Sequence, residues 1–276
     1  MTSGERARVT TPIRSYAAIG DSYSEGMGDE RPDGTPRGWA DLVAAGLAHA
    51  AGGTIGYANL AIRGRLLAPI LDEQLPAALA LGPELLSING GGNDILRPSV
   101  SIEGVADRLV GAAERGRAAG ARVMIVSGAD PTRHIPMGAV FSRRGDELAL
   151  AVRHRLAGGD VLFVDNWSDP RLPELRYWSV DRLHLNALGH ALAAANVLAA
   201  LGVPVPASPA APDAGDDLER PRTAEYWRRY VLPWIGRRLT GRSSDRAGLT
   251  VPARLTGRAS RPVSGIPANP QAARVE

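Results

Sequence analysis

The chain has 276 residues, 44% of them hydrophobic, enough for a sizeable core in one large domain or two small ones. It contains no cysteine and no lysine, which excludes disulfides, thiolate metal sites, cysteine nucleophiles, phosphate-loop lysines and Schiff-base lysines together. The formal net charge of +3 comes from arginine spread among many acids, with much of the excess late in WRRYVLPWIGRRLTGRSSDR; it reads as a property of the tail, and no nucleic-acid partner is expected.

Residues 1–14 form a charged N-terminal arm without a continuous apolar run, so neither a signal peptide nor a membrane span is read there and a cytoplasmic location is expected. A first strand is predicted in SYAAIG, followed by a helix in GWADLVAAGLAHA and a second strand in TIGYANLA. LLAPILDEQLPAALAL reads as a helix interrupted by proline, ELLSIN as a third strand and GVADRLVGAAERGRAAG as a helix. RVMIVSG is a fourth strand, residues 143–156 are helical, DVLFVD is a fifth strand, and NALGHALAAANVLAALG is a last helix stopped by Gly202. Strands alternating with helices pair in parallel through right-handed crossovers. The predicted fold is therefore α/β, a three-layer α/β/α sandwich on a five-stranded parallel sheet over residues 15–202, with its site at the carboxyl ends of the strands.

Beyond this domain, GVPVPASPAAPDAGDD marks a linker at 203–223. Residues 224–240 carry Tyr226, Trp227, Tyr230, Val231, Trp234 and Ile235 at helical spacing, with Pro233 as a kink. An apolar stripe docked on the main domain is the favoured reading of that segment; a lid or a membrane-surface helix are the alternatives. Residues 241–276, rich in Arg, Pro, Ser and Gly, read as a disordered tail.

Four stretches carry chemistry. Ser22 follows the first strand directly, where a turn exposes its hydroxyl, although an isolated Gly-Asp-Ser is more often a cap or turn than a nucleophile. Gly-x-Ser-x-Gly does not fit, because Ser24 stands two residues after Ser22. In DRLH, Asp181 and His184 are three apart at the start of the last predicted helix, so the carboxylate can orient the imidazole; Asp181 as a plain N-cap is the alternative. In GGND, Asn93 offers an amide donor that suits a developing oxyanion or an ordinary loop. Gly64, in NLAIRGR, either presents its N–H to the same pocket or makes a turn. His190 reads as a packing or surface residue, and Asp21 and Asp94 as structural groups bonding local backbone. A metal site finds no ligand spacing, and no cofactor is expected. Residues 25–38 and 129–142 are expected to wall the pocket.

The four stretches follow strands one, two, three and five, which a doubly wound sheet brings to one edge. With GDSYSEG, NLAIRGR, GGND and DRLH in this order, the sequence resembles the SGNH (GDSL-type) hydrolases, over roughly residues 15–202. The family's usual leucine after the serine is Tyr23 here. The resemblance implies a serine esterase acting on small-molecule or acyl-chain esters. In it Ser22 would be the nucleophile, His184 the base and Asp181 its orienter, with Ser22, Gly64 and Asn93 forming the oxyanion hole. An acyltransferase using the same acyl-enzyme, and an idle binding module on the same fold, are the alternatives; oligomeric state is not readable.

Overall fold

Five short segments pair side by side in the computed structural model, which describes residues 12–135, 138–205 and Arg228. They are β1 (Ser15–Ile19), β2 (Gly56–Asn59), β3 (Leu85–Ile88), β4 (Arg122–Val126) and β5 (Leu162–Val164), all parallel, in the order β2-β1-β3-β4-β5. Ala17 of β1 sits between Ala58 and Leu86, and Ile88 of β3 between Ile19 and Ile125. Every residue of β3 is buried, as a strand covered on both faces requires.

Side-chain alternation along β1 sends Tyr16 and Ala18 to one core and Ala17 and Ile19 to the other. The first core is closed by α2 (Trp39–Ala50) and α8 (Ala187–Leu201), with Trp39, Val43 and Leu47 meeting Val197, Leu198 and Leu201. These two helices approach closely because Gly46 has no side chain: a Cβ there would lie 2.6 Å from Leu198 Cδ1. The second core is closed by α6 (Ile102–Ala118), α7 (Gly138–Leu156) and a helical run over 67–79. The architecture is the three-layer α/β/α sandwich, with β1 and β3 flanking the point where the strand order reverses.

Several boundaries differ from the sequence-based expectations. The proline does not break the helical run: α3 (Leu67–Pro69) passes into a π turn (Ile70–Gln74) and on into α4 (Leu75–Leu79). Leu75 N–H reaches back to Ile70 O, and Pro76 falls in the first turn of α4, where its missing donor costs least. The helix expected over 143–156 begins at Gly138. One-turn helices α1 (Ser22–Glu25) and α5 (Gly92–Ile95) follow β1 and β3, too short to leave a periodic signal. Among the described residues, no helix is long and apolar enough to cross a membrane. Residues 1–11 of the predicted arm, the predicted linker from residue 206, the 224–240 segment apart from Arg228, and the 241–276 tail lie outside the described residues.

Candidate active site

Ser22 is the first residue of α1, and the cap is its neighbour: Asp21 accepts the Tyr23 N–H through Oδ1 at 3.1 Å. The turn before it is locked by Gln74 of the π turn, whose buried amide accepts from Gly20 N–H at 2.8 Å and donates to Gly20 O at 3.0 Å. A side chain at Gly20 would put its Cβ 2.8 Å from Ser24 Oγ and 3.1 Å from Asn89 Cβ, so this corner requires glycine. At the other end, Gly26 (φ 95°) lies against Gly38, where a Cβ on either residue would come within 2.4 Å of the partner's backbone. α1 is thereby pressed onto the start of α2.

Asp181 and His184 lie ahead of the last helix, not in it, which corrects the expectation drawn from their spacing. Trp178 and Leu185 form an antiparallel bridge, Ser179 N–H donates to His184 O at 2.9 Å, and Arg182 turns through a left-handed φ of 55°. The reason is local competition for donors: Asp181 Oδ1 takes the N–H groups of Leu183 and His184, both at 3.0 Å, and the Ser179 hydroxyl at 2.6 Å, which closes a turn where a helix would otherwise start. α8 is instead capped by Asn186, whose Oδ1 accepts from Gly189 N–H at 3.1 Å.

His184 Nδ1 donates to Asp181 Oδ2 at 2.6 Å, which leaves Nε2 as an acceptor facing Ser22 Oγ at 3.1 Å. Burial pushes the Asp181 carboxyl up, but the hydrogen bond and charge of His184, with the Ser179 hydroxyl and the backbone donors, outweigh it and hold the group well below the usual carboxylate range. The arrangement can accept a proton from a serine hydroxyl onto an imidazole of fixed tautomer.

Asn93, the second residue of α5, directs Nδ2 to Arg65 O at 3.0 Å and to Asp21 Oδ2 at 3.3 Å. Asp21 thus serves both the local backbone and a distant amide. Asp94 accepts from Leu67 N–H at 2.8 Å across 27 residues, so its bond is long-range rather than local as expected. Burial raises the Asp94 pKa against the lowering effect of that bond and of Arg108 and Arg97.

Ser22, Asn93 and His184 share the wall of one cavity of about 170 Å³, whereas Gly64 is not part of that wall. Gly64 (φ 76°) shapes the loop whose next carbonyl, Arg65 O, receives the Asn93 amide. The same loop is tied to α1 by Arg63, whose N–H reaches Glu25 Oε2 and whose Nη2 reaches Glu25 Oε1, both at 2.6 Å. Of the stretches expected to wall the pocket, 25–38 contributes Met27, and 129–142 contributes Ala129, Pro131, Thr132, Ile135 and Phe141. The contribution of α7, from Gly145, Leu148, Ala149 and Val152, was not foreseen. Its apolar stripe reads equally as core, so only the open space beside it marks these residues.

Tyr23 and His190 also line the cavity, and both are fastened from behind. The Tyr23 ring lies 5.9 Å from Trp39 and 6.1 Å from His190 between centroids, and its hydroxyl accepts from Asn166 Nδ2 at 3.0 Å. Asn166 Oδ1 in turn accepts from Asn196 Nδ2 at 2.8 Å. Burial raises the Tyr23 pKa, so the phenol stays neutral and available for this bond. Tyr23→Phe is expected to lower stability by about 1–2 kcal/mol, because the fully buried Asn166 loses an acceptor; the urea midpoint at unchanged m-value is the measurement.

The GDSL-like lipase/acylhydrolase family model matches residues 18–192. No curated protein matches the chain. Solved structures share the fold. An acetylxylan esterase from Geobacillus stearothermophilus, Axe2, is 19% identical at a TM-score of 0.55, covering 71% of this chain and 98% of its own. The psychrotrophic esterase EstA from Pseudoalteromonas sp. is 18% identical at 0.54, covering 68% of this chain and 97% of its own. TesA is 25% identical at 0.53, covering 67% of this chain and 97% of its own.

Proposed function

Because this chain belongs to the GDSL-like lipase/acylhydrolase family and is an ester-hydrolysing enzyme, we propose that it cleaves carboxylic esters through a covalent acyl-enzyme on Ser22, with His184 as the base and Asp181 as its orienter. The observation that carries this reading is the 3.1 Å approach of His184 Nε2 to Ser22 Oγ, while Nδ1 is committed to Asp181 at 2.6 Å.

Ser22 Oγ attacks the ester carbonyl as its proton passes to Nε2, and the imidazolium is stabilised by the ionised Asp181. The carbonyl oxygen becomes an anion. Two donors are placed to receive it: the Ser22 N–H, in the first turn of α1 where helix donors have no intrahelical partner, and the Asn93 amide, released from its longer bond to Asp21. Each such donor is worth on the order of 3 kcal/mol in the barrier. Gly64 acts through its loop, which supplies the Arg65 carbonyl that aims Asn93. Nε2–H then protonates the departing alcohol, and water, activated by the same imidazole, releases the acid and restores Ser22.

Covalent labelling tests the nucleophile directly. A fluorophosphonate ester is expected to add one equivalent to the protein, mapped by peptide mass to Ser22, and to leave the Ser22→Ala variant unmodified. Labelling elsewhere, or equal labelling of the variant, would overturn the assignment.

A further inference from the structure

The cavity does not stop at Ser22. On the α7 side of the sheet its walls are Leu109, Ile125, Leu148, Ala149, Val152 and Phe163, most of them members of or packed against the second core. None of these side chains carries a charge or a hydrogen-bonding group, so this arm of the cavity desolvates whatever enters without compensating a polar group. The Trp167 indole, also in the cavity wall, is packed against Gly145 of α7, where a Cβ would come within 1.9 Å of Cζ2. The ring is held there by Nε1 donating to Asp146 Oδ1 at 2.8 Å and by its backbone N–H donating to Ser127 Oγ at 2.9 Å.

The two halves of an ester can be assigned to the two sides of the site. His184 is next to Leu185, which is buried in the core covered by α8, and it must protonate the leaving alcohol, so the alcohol is assigned to that side. α7 packs on the opposite face, with Ala151 and Val152 in the second core. Resting on the serine-esterase reading above, we propose that the apolar arm beneath α7 receives the acyl chain of the substrate, and that Leu148 and Ala149 set the chain length. The preferred substrates are then esters of unbranched, uncharged aliphatic acids, and sugar or amino-acid acyl groups are excluded because their polar atoms would be stranded.

The test uses the full chain with two substrate series. With p-nitrophenyl esters from acetate to dodecanoate, kcat/KM is expected to rise about fourfold per methylene while each is buried, and to level or fall once the chain outgrows the apolar arm. With acetate esters of ethanol through octanol, no comparable rise is expected. Ala149→Leu is expected to lower the octanoate-to-acetate ratio of kcat/KM at least tenfold. Leu148→Ala, which adds space and does not depend on fitting a larger side chain, is expected to move the optimum to longer chains. A flat acyl series, a rise in the alcohol series instead, or wild-type chain-length profiles in both variants would overturn the acyl assignment. A flat acyl series together with labelled Ser22 defeats only the pocket; absence of the label on Ser22 defeats the serine-esterase reading beneath it.

Discussion

Hydrolysis of p-nitrophenyl esters by Ser22→Ala is expected to fall on the order of 10⁵–10⁶-fold in kcat. The Ser22 hydroxyl is the group that faces Nε2 at 3.1 Å, and without it the imidazole has only water to activate, at a distance set for a side chain. His184→Ala is expected to cost about as much, and the double variant no more than either single one, because nucleophile and base act as one unit. Asp181→Asn is expected to lose less, on the order of 10⁴-fold, through misorientation of the ring. Asp181 is held ionised well below the usual carboxylate range, so its own protonation adds no limb to the activity profile near neutral pH. Equal rates in wild type and Ser22→Ala would remove this pair from the chemistry.

The second large effect concerns stability. His190 is fully buried; its Nδ1 accepts the Trp39 N–H at 3.2 Å and its Nε2–H donates to Met27 O at 3.1 Å, so the ring joins α8 to α2 and to the segment after α1. Nδ1 can accept the Trp39 N–H only while the ring is neutral. Burial pushes its pKa down to about 4, against the raising influence of the Met27 carbonyl, Asp29 and Glu30, while His184 adds to the lowering. In the unfolded chain the ring accepts a proton near the ordinary value of about 6.5. Between these values the unfolded state binds more protons, so stability rises with pH: the contribution is complete above about 6.5 and is lost progressively as the pH falls through about 4. The shift corresponds to about 3 kcal/mol. Urea melts at pH 7, 5.5 and 4 are expected to show this loss in wild type. His190→Asn can keep one acceptor and one donor without titrating, and its pH slope is expected to be shallower by that amount. An identical slope would show that acid sensitivity arises elsewhere.

The sheet was legible because each strand of a parallel sheet buried on both faces must be a short apolar run, and SYAAI, LLSI and RVMIV have that form. The edges were read too long, TIGYANLA for Gly56–Asn59 and DVLFVD for Leu162–Val164, because an edge strand pairs on one side only and its end residues have no partner to hold them. The one-turn helices under Ser22 and Asn93 left no signal, since four residues cannot display a 3.6-residue period. The pocket arm beneath α7 was illegible for a different reason: a small residue such as Gly145 or Ala149 on an apolar stripe looks the same whether its neighbour is protein or empty space.

Residue types and short spacings were therefore determined by the sequence itself. Asp181 and His184 are three positions apart, a distance the chain spans in one turn, so a carboxylate–imidazole contact was available locally whichever turn formed. The contact between Ser22 and His184, 162 residues apart, the exclusion of Gly64 from the cavity wall, and the burial of His190 were decided by tertiary structure. They depend on how helices settle on the two faces of the sheet, where packing volume and hydrogen bonds between distant segments choose among positions that local spacing leaves equivalent.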